Sequence, residues 1–429
     1  MKYFPIDPAL FVTNRDKLAR RMKPNSVVVL HSNDLLPSNA DGVMPFRQNA
    51  NLLYLTGVDQ EESILILAPD FPNEKMREVL FLKETSEHIA IWHGHKLTKE
   101  EARKATGIQT VKWLDEFDVT LQTILAESEN IYLETNEHIR QEVVTETRND
   151  RFLKACKTKF PLYGYERLAP IIYDLRTVKE EVEIAQLQMA CDITEKGFRR
   201  VLAMTKPGVW EFELEAEYIH EFMRNRSRHF AYDPIIAGGK NSCVLHYIEN
   251  NRQLVDGDVL LMDVGAEYAN YQADMTRVLP VNGRFSDRQR KIYDAVLRVK
   301  KAATQMLVPG NSIPEYHKAV GEVMEAELLG LGLIDQTDIK NQDPDWPAYK
   351  KYFMHGTSHH LGLDVHDVAS IYTKFKSGMV FTVEPGIYIP EEGIGIRLED
   401  DMVIRENGHT NLMANIPIEA DEIEDLMNQ

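Results

Sequence analysis

Acidic side chains interrupt two apolar segments of this 429-residue chain. Asp263 ends one apolar run, and Asp274 follows it eleven residues later. Glu384 ends the other run, and Glu399 follows it fifteen residues later. Acids are depleted from strands, where their carboxylates lose solvation, so each of these side chains needs a partner.

The spacing of these acids predicts that they meet across two hairpins. In an antiparallel hairpin with an even-length loop, residues an odd number apart can face each other, with Cβ atoms roughly 5 Å apart. The midpoints between the acids fall at 268–269 and 391–393, where the sequence is turn-like. We therefore expect two facing carboxylate pairs.

Paired carboxylates need a cation or a proton between them, because their repulsion raises a pKa. Two divalent cations would offset four negative charges, whereas one proton shared in each pair would give an acid-active site like that of aspartic proteases. The segment HGTSHHLGLDVHD at 355–367 supplies imidazole, which favours cations. Oxygen ligands alone suit Mg²⁺ or Ca²⁺, and an added histidine suits Mn²⁺, Co²⁺, Fe²⁺ or Zn²⁺. Gly356 stands where an HExxH zinc motif has glutamate, which excludes that motif.

The C-terminal part of the sequence repeats one order of elements, two helices followed by strands. A capping-box spacing at 177–180 predicts the start of a helix that ends at 207–208. The next helix is amphipathic, with one apolar face: Phe212, Ala216, Ile219 and Met223. In the second half, Ser286 caps a helix that ends at 309–310, with these residues inward: Ile292, Val296, Val299 and Ala303.

The strand segments of the two halves also correspond. Gly257 and Gly378 each stand six residues before the first acid of their half, and each half has a histidine upstream, His246 or His366. This pattern indicates an old internal duplication. Chance similarity between two hairpins is the alternative explanation.

The N-terminal part alternates short apolar runs with turn signals and helix-like stretches. Strands are predicted at 26–30, 63–67, 79–82 and 131–133. This pattern is typical of a modest α/β domain. We predict one domain at 1–174 and a second at 175–429.

Composition limits the partners and the compartment. The chain has 49 Lys and Arg against 67 Asp and Glu, a net charge of −18, so we expect neither nucleic acid nor anionic membrane surfaces as partners. Its apolar runs are far shorter than the roughly 20 residues of a membrane span. The first residues, with an acid and two prolines, lack the apolar core of a signal peptide. Three widely spaced cysteines without CxxC spacing favour the reducing cytoplasm: Cys156, Cys191 and Cys243.

Several segments together resemble the aminopeptidase P and prolidase family of pita-bread metallopeptidases. Besides HGTSHHLGLDVHD, they are LMDVGAEY at 261–268, ADMTR at 273–277, TVEPGIY at 382–388 and IRLEDD at 396–401. PFRQNANLLYLTG at 45–57 and IWHGHKL at 91–97 resemble the N-terminal domain of the bacterial aminopeptidase P branch. The resemblance implies an α/β N-terminal domain followed by an α+β pita-bread catalytic domain with an internal pseudo-twofold duplication.

The resemblance also implies a dinuclear metal centre. It assigns Asp263 to one ion, His359 and Glu384 to the other, and Asp274 and Glu399 to both. Two Mn²⁺ ions are expected, with Zn²⁺, Co²⁺ or Fe²⁺ as alternatives. In that family a water or hydroxide shared by the two ions attacks the peptide carbonyl before a penultimate proline.

Other site residues are carried over in the same way. Glu384 is expected to move the proton to the leaving nitrogen, while His246 and His366 contact the scissile carbonyl. The groups expected to surround the centre or contact substrate are His355, Tyr388 and Arg397. For Arg397 a structural ion pair is the alternative role.

The predicted function is that of an Xaa-Pro aminopeptidase acting on peptides with an Xaa-Pro N-terminus. Prolidase, which cleaves Xaa-Pro dipeptides, is the nearest alternative, and a non-catalytic peptide- or protein-binding pita-bread module is the second. The resemblance also suggests a homodimer or homotetramer. Trp92 matches a family tryptophan that can reach a neighbouring subunit, and ordinary packing is its alternative role.

Overall fold

The computed structural model describes residues 3–138 and 143–429, and the chain divides into two compact units. The N-terminal unit is Pro5–Arg176. The C-terminal unit is Thr177–Gln429, together with the start of the chain up to Phe4. Within the described residues we find no helix with the length and apolarity that a membrane span requires.

In its described residues, the N-terminal unit combines seven α-helices with a six-stranded mixed sheet and a separate two-stranded sheet. The helices are α1 Pro8–Ala19, α2 Ala50–Thr56, α3 Glu87–His93, α4 Lys99–Thr106, α5 Phe117–Leu125, α6 Arg148–Lys159 and α7 Ala169–Thr177, whose last residue lies just past the unit boundary. The strands are β1 Ser26–His31, β2 Pro37–Asn39, β3 Gly42–Val43, β4 Ile64–Leu67, β5 Glu78–Leu82, β6 Thr110–Trp113, β7 Asn130–Leu133 and β8 Gly164–Arg167.

The sheet of the N-terminal unit has the order β6-β5-β4-β1-β7-β8. Strand β4 runs antiparallel to β1 and β5. The other three pairs are parallel: β5 with β6, β1 with β7, and β7 with β8. The four central strands are the four predicted from the sequence. Their unbroken apolar runs are explained by burial on both faces, since side chains such as Val28, Val29 and Leu65 are fully buried.

The C-terminal unit contains two successive sets of helices and strands. Its helices are α8 Glu181–Met204, α9 Glu211–Arg224, α10 Asp287–Met306, α11 Ile313–Gly330, α12 Gln336–Lys340 and α13 Ala420–Met427. Its strands are β9 Ile235–Gly238, β10 Val259–Val264, β11 Glu267–Tyr268, β12 Tyr271–Gln272, β13 Met275–Pro280, β14 Val380–Val383, β15 Gly386–Ile389, β16 Ile394–Arg397, β17 Asp400–Arg405 and β18 Gly408–Asn411.

Two long hairpins form the frame of this unit, as the repeat in the sequence predicts. In the first, β10 pairs with β13, and β11 with β12 continues in the same register to a tip at Ala269-Asn270. Both tip residues have positive φ, as a two-residue type I′ turn requires. In the second, β14 with β17 and β15 with β16 share one register, and the tip lies at 390–393.

Helix α10 confirms its predicted pattern. Ser286 caps it in a capping box with Gln289, and all four predicted inward residues are fully buried. The predicted start of α8 at Thr177 is wrong. Helix α7 extends to Thr177, and α8 begins at Glu181 after a capping box between Glu180 and Glu183.

The apolar face predicted for α9 is exposed at the surface. Phe212, Ile219 and Met223 are 51%, 40% and 51% exposed, whereas the buried apolar side chains are Leu214, Tyr218 and Phe222. This helix has apolar residues on two sides, so spacing alone selects either side. Packing decides between them, because Gly197 of α8 leaves room for the rings of Tyr218 and Phe222: a Cβ there would lie 2.6 Å from the first and 2.7 Å from the second.

Candidate metal centre

The two hairpins place the predicted acids on facing surfaces, with one change from the expected pairing. Asp263 lies opposite Thr276, and Asp274 is the diagonal neighbour two residues further along the same face. The prediction that Asp263 and Asp274 face each other directly is therefore wrong. The register of the second hairpin, in contrast, places Glu384 opposite Glu399, where the pairing of β14 with β17 gives way to that of β15 with β16.

The histidine segment is held against the edge of β14. Backbone hydrogen bonds join Glu384 N–H to Thr357 O (2.8 Å) and Thr382 N–H to His359 O (3.0 Å). Further along, Leu361 N–H donates to Val380 O. Pro385 follows Glu384 and has no N–H. The ladder of backbone hydrogen bonds from β14 to β17 is therefore interrupted directly after Glu384.

His359 faces the acids with a defined tautomer. Its Nδ1 lies 3.0 Å from the carbonyl oxygen of His360, which can only accept, so Nδ1 carries the proton. Nε2 then points at Asp274 Oδ2 (3.4 Å) and Glu384 Oε1 (3.5 Å). One ligand atom each from Asp274, His359 and Glu399 lies within 4.8 Å of the others, and all three residues are buried.

Arg397 connects the second hairpin to the first. Its Nη2 lies 2.6 Å from Asp263 Oδ2, and its Nε donates to the Thr276 hydroxyl at 3.0 Å. That hydroxyl donates in turn to Glu399 Oε2 at 2.7 Å. Arg397 and Glu399 thus point to the same side of the hairpin, as their two-residue spacing predicts. The ion pair with Asp263 matches the alternative role given to Arg397.

Tyr232 is a site residue that the sequence analysis missed. Its hydroxyl contacts Asp263 Oδ1 and lies 2.6 Å from Asp274 Oδ1. Burial and the neighbouring carboxylates raise the pKa of Tyr232 well above its ordinary value, so the group is a neutral donor. Tyr232 stands in an irregular segment before β9, and no spacing pattern connects it to the acids. Thr276 was also missed, although it stands in β13 two residues after Asp274, because the predicted register paired Asp263 with Asp274.

A directed chain of hydrogen bonds leads from Arg397 to His355. Arg397 Nη1 donates to Tyr388 Oη, which lies 2.7 Å from His355 Nε2. His355 Nδ1 is 2.8 Å from Gly356 O, so Nδ1 carries the proton and Nε2 accepts from Tyr388. Burial and Arg397 lower the pKa of His355 to about 3, which keeps the imidazole neutral.

The carboxyl groups hold more negative charge than the surrounding protein offsets. Burial raises the pKa of Asp263, raises that of Glu384 to about 7, and raises that of Glu399 well above its ordinary value. Arg397 is the cation that touches this cluster. Among the described groups, four carboxyls therefore share one guanidinium and the imidazole of His359, whose pKa they raise, and three of the four resist ionisation.

These residues fit two divalent cations. Four carboxylates and one neutral imidazole are the donors that Mn²⁺, Co²⁺, Fe²⁺ and Zn²⁺ accept, and two such ions would offset four negative charges. The Nδ1–H bond of His359 to a backbone carbonyl is the outer contact that metal-binding histidines make. Protons are the alternative, because a protonated His359 would donate from Nε2 to Asp274 and Glu384, and these acids raise the pKa of His359 against the effect of burial.

The remaining predicted histidines, His366 and His246, are exposed. The ring centroid of His366 is 4.4 Å from that of His359, in an edge-to-face arrangement, and His366 is exposed. His246 is also exposed, on the segment between β9 and β10. Its side chain makes no hydrogen bond or ion pair with the other predicted site residues in the described part of the chain. Trp92 is 76% exposed on α3 of the N-terminal unit.

Comparison with known families assigns both units. Residues 185–406 match metallopeptidase family M24, and residues 11–132 match the N-terminal domain of aminopeptidase P. The first match covers more than half of the chain and contains all five predicted ligands. The chain belongs to metallopeptidase family M24.

Relatives with known names extend this assignment over the whole sequence. The Xaa-Pro aminopeptidase of Haemophilus influenzae is 37% identical over 434 residues, and that of Escherichia coli is 35% identical, each alignment covering 97% of both chains. Zinc-substituted E. coli aminopeptidase P in complex with product has the same fold, with a TM-score of 0.88 and 33% identity over 99% of both chains. The predicted family, pita-bread fold and hydrolase class are confirmed.

Proposed function

We propose that the protein is an Xaa-Pro aminopeptidase, which removes the N-terminal residue from peptides with proline in the second position. The observation that carries the proposal is the convergence of three carboxylate-bearing hairpin positions and His359 at one buried point, in a chain whose relatives of the same length are Xaa-Pro aminopeptidases. A peptide with an Xaa-Pro N-terminus is the proposed substrate.

The chain's own side chains define where two divalent ions would be held. Asp263 would bind one ion, His359 and Glu384 the other, and Asp274 and Glu399 would lie between them. When bound, the ions supply an activated water and positive charge for the oxyanion that forms during peptide hydrolysis. Tyr232 and Arg397 keep the Asp263 carboxylate aimed at this point through both of its oxygens.

Glu384 is placed to move a proton. In the metal-free protein burial raises the pKa of its carboxyl to about 7, and a bound cation would lower it toward the carboxylate form, which accepts a proton. Its Oε1 lies 3.3 Å from the Thr382 hydroxyl, and its Oε2 lies 3.6 Å from His355 Nδ1. We assign to Glu384 the transfer of a proton to the leaving nitrogen.

The leaving nitrogen explains why proline needs a dedicated site. An Xaa-Pro bond is a tertiary amide without an N–H, and the ring obstructs general peptidases. His366 and His246 are assigned to the scissile carbonyl, and His355 and Tyr388 to substrate contacts at the buried end of the Arg397 chain. These assignments rest on the resemblance together with the positions described above.

A comparison of three peptides tests the function. Protein reconstituted with Mn²⁺ is expected to cleave the first bond of Xaa-Pro-Yaa, while the matched peptide Xaa-Ala-Yaa remains intact. Cleavage of the dipeptide Xaa-Pro alone would instead identify a prolidase. Peptide binding without turnover, with Mn²⁺ present at two ions per chain, would identify a non-catalytic module.

Several finer properties are part of the same proposal. We propose Mn²⁺ as the native ion, a homodimer or homotetramer as the assembly, and the cytoplasm as the compartment. The three cysteines are unpaired, which suits a reducing compartment. We also propose residues 1–174 and 175–429 as the functional domains.

A further inference from the structure

A buried ion pair lies behind the histidine segment, outside the set of predicted site residues. Lys179 Nζ is 2.7 Å from Asp367 Oδ2, and the two side chains are 2% and 1% exposed. Lys179 immediately precedes the N-cap residue of α8, and Asp367 immediately follows His366. A pair so completely removed from water contributes little net stability, because desolvation offsets the attraction.

The backbone around the pair is fixed at both ends. Lys179 N–H donates to Gly378 O at 2.9 Å, which ties the lysine to the start of the β14 hairpin. Gly362 is packed against the pair: a Cβ at this position would lie 2.2 Å from Asp367 Oδ2 and 2.9 Å from Lys179 Cε. Any larger residue at 362 would separate the two charges.

Lys179 and Asp367 also neutralise each other's charge beside a third ionisable group, Glu183. The nearby Glu183 is fully buried, and burial raises the pKa of its carboxyl, which accepts from the Tyr271 hydroxyl at 3.0 Å. Glu183 in its neutral form leaves the Lys179 ammonium to the Asp367 carboxylate.

Asp367 reaches both histidines of the site through its own backbone. Its N–H donates to the His360 carbonyl oxygen at 2.9 Å, and this is the oxygen that accepts from His359 Nδ1 at 3.0 Å. The neighbouring residue, His366, places its ring 4.4 Å from the His359 ring. A displacement of Asp367 therefore moves the carbonyl that orients His359 and the backbone that carries His366.

We infer that the Lys179–Asp367 pair is a positioning device, which sets the orientation of His359 and the place of His366 by clamping the 360–367 turn to the base of the β14 hairpin. This inference rests on the proposed function, since the two histidines act there on ion and substrate. Outer contacts of this kind typically change metal affinity or activity about 10- to 100-fold when removed.

Three variants separate positioning from plain stability. Asp367→Asn keeps the volume but removes the directional charge. The double change Lys179→Met with Asp367→Leu replaces the pair by apolar side chains, which is often neutral or stabilising for buried pairs. Glu78→Gln is the matched control, because Glu78 pairs with the fully buried Arg15 at 3.0 Å in the N-terminal unit.

Each variant is measured twice. The first measurement is kcat and KM for Xaa-Pro-Yaa with Mn²⁺, expressed per folded molecule, together with Tm. The second is hydrogen exchange of the 355–367 backbone in protein stripped of metal with a chelator, which reports the clamp without any turnover.

For Asp367→Asn we expect kcat to fall 10- to 100-fold with little change in KM, and the 355–367 amides to exchange faster. The double variant should regain Tm yet keep the low kcat and the fast exchange. Glu78→Gln should lose Tm alone. Wild-type kcat in the double variant, or in Asp367→Asn once corrected for unfolding, overturns the inference. Absence of turnover in the wild-type protein would instead overturn the proposed function.

Discussion

Arg397 and Asp263, which are 134 residues apart in sequence, form an ion pair between the two hairpins. The guanidinium reaches from β16 to the carboxylate on β10 at 2.6 Å, and both groups are largely buried. Each hairpin brings two acids, but the cation that touches them comes from the second hairpin alone. The site is therefore complete only when both halves of the pita-bread unit are packed together.

Tyr232→Phe tests the hydroxyl that joins Asp263 to Asp274. Without this hydroxyl the two carboxyl groups lose the polar group that lies between them, and we expect Mn²⁺ affinity and kcat to fall about 10- to 100-fold, with the fold retained. Titration calorimetry and steady-state kinetics measure both. Tyr218→Phe is the control, because that buried hydroxyl contacts the sulfur of Met262 and no acid. Equal effects of the two substitutions would remove Tyr232 from the site.

His366→Ala and His246→Ala test the two exposed histidines that are assigned to the scissile carbonyl. If they hold the scissile carbonyl, each substitution should lower kcat roughly 10²-fold through lost oxyanion stabilisation, and Tm should stay unchanged because both side chains are exposed. The exposed His220 on α9 provides the matched control, His220→Ala. A kcat within a factor of two of the wild type would place the substituted histidine outside the reaction.

The pH dependence of stability should differ between metal-free and metal-loaded protein. The pKa of Glu384 rises from its ordinary value of 4.5 to about 7 on folding, so its contribution to stability is full below about pH 4.5 and is lost as pH rises through 7. Asp263 and Glu399 have raised pKa values and act in the same direction. Divalent cations bind the ionised carboxyls, so the gain in Tm from Mn²⁺ should be larger at pH 8 than at pH 5.

Buried histidines also change the slope of stability against pH. Comparing protein with and without Mn²⁺ removes most of their effect. Burial lowers the pKa of His31, His355 and His360 to about 3, so their stabilising contribution is lost as pH falls from 6.5, the opposite direction. All three act with and without Mn²⁺. Glu384→Gln should reduce the difference in Mn²⁺ gain between pH 5 and pH 8, and an unreduced difference would contradict the raised pKa of Glu384.

Neighbouring residues of α9 test the reversed orientation of that helix. Phe222→Ala empties a site beside Gly197 and should cost about 3–5 kcal/mol in the free energy of unfolding. Met223→Ala, at a position 51% exposed, should change it by no more than about 0.5 kcal/mol. Denaturant titration measures both. A larger loss of unfolding free energy for Met223→Ala than for Phe222→Ala would show that the face predicted from spacing is the buried one.

The sequence predicted the elements better than their contacts. Apolar runs defined the four central strands of the N-terminal unit, and a glycine-to-acid spacing found both hairpins. The first hairpin was misplaced by one residue at its tip, since the turn lies at Ala269-Asn270 and was predicted at 268–269. Alanine gives no signal for positive φ, and that shift moved the partner of Asp263 from Asp274 to Thr276.

Contacts made by single side chains from remote segments were beyond prediction. Tyr232 stands in a stretch without periodicity or motif, and Lys179 stands in the 177–180 segment that was interpreted as a helix cap. The role of each depends on which backbone lies beside it. The two faces of α9 had the same difficulty, because both satisfy helical spacing and the choice between them is made by Gly197 on another helix.

The ion pair between Arg397 and Asp263 joins residues that the ribosome adds at different times. Ribosomes add roughly 5–20 residues per second, so the stretch of chain between these two residues takes on the order of ten seconds to make. Throughout that interval the emerging first hairpin carries acids whose cationic partner has not yet been translated. Glu399, the last of the proposed ligands, follows Arg397 on the second hairpin, so the proposed ligand set is complete only after that hairpin has been made.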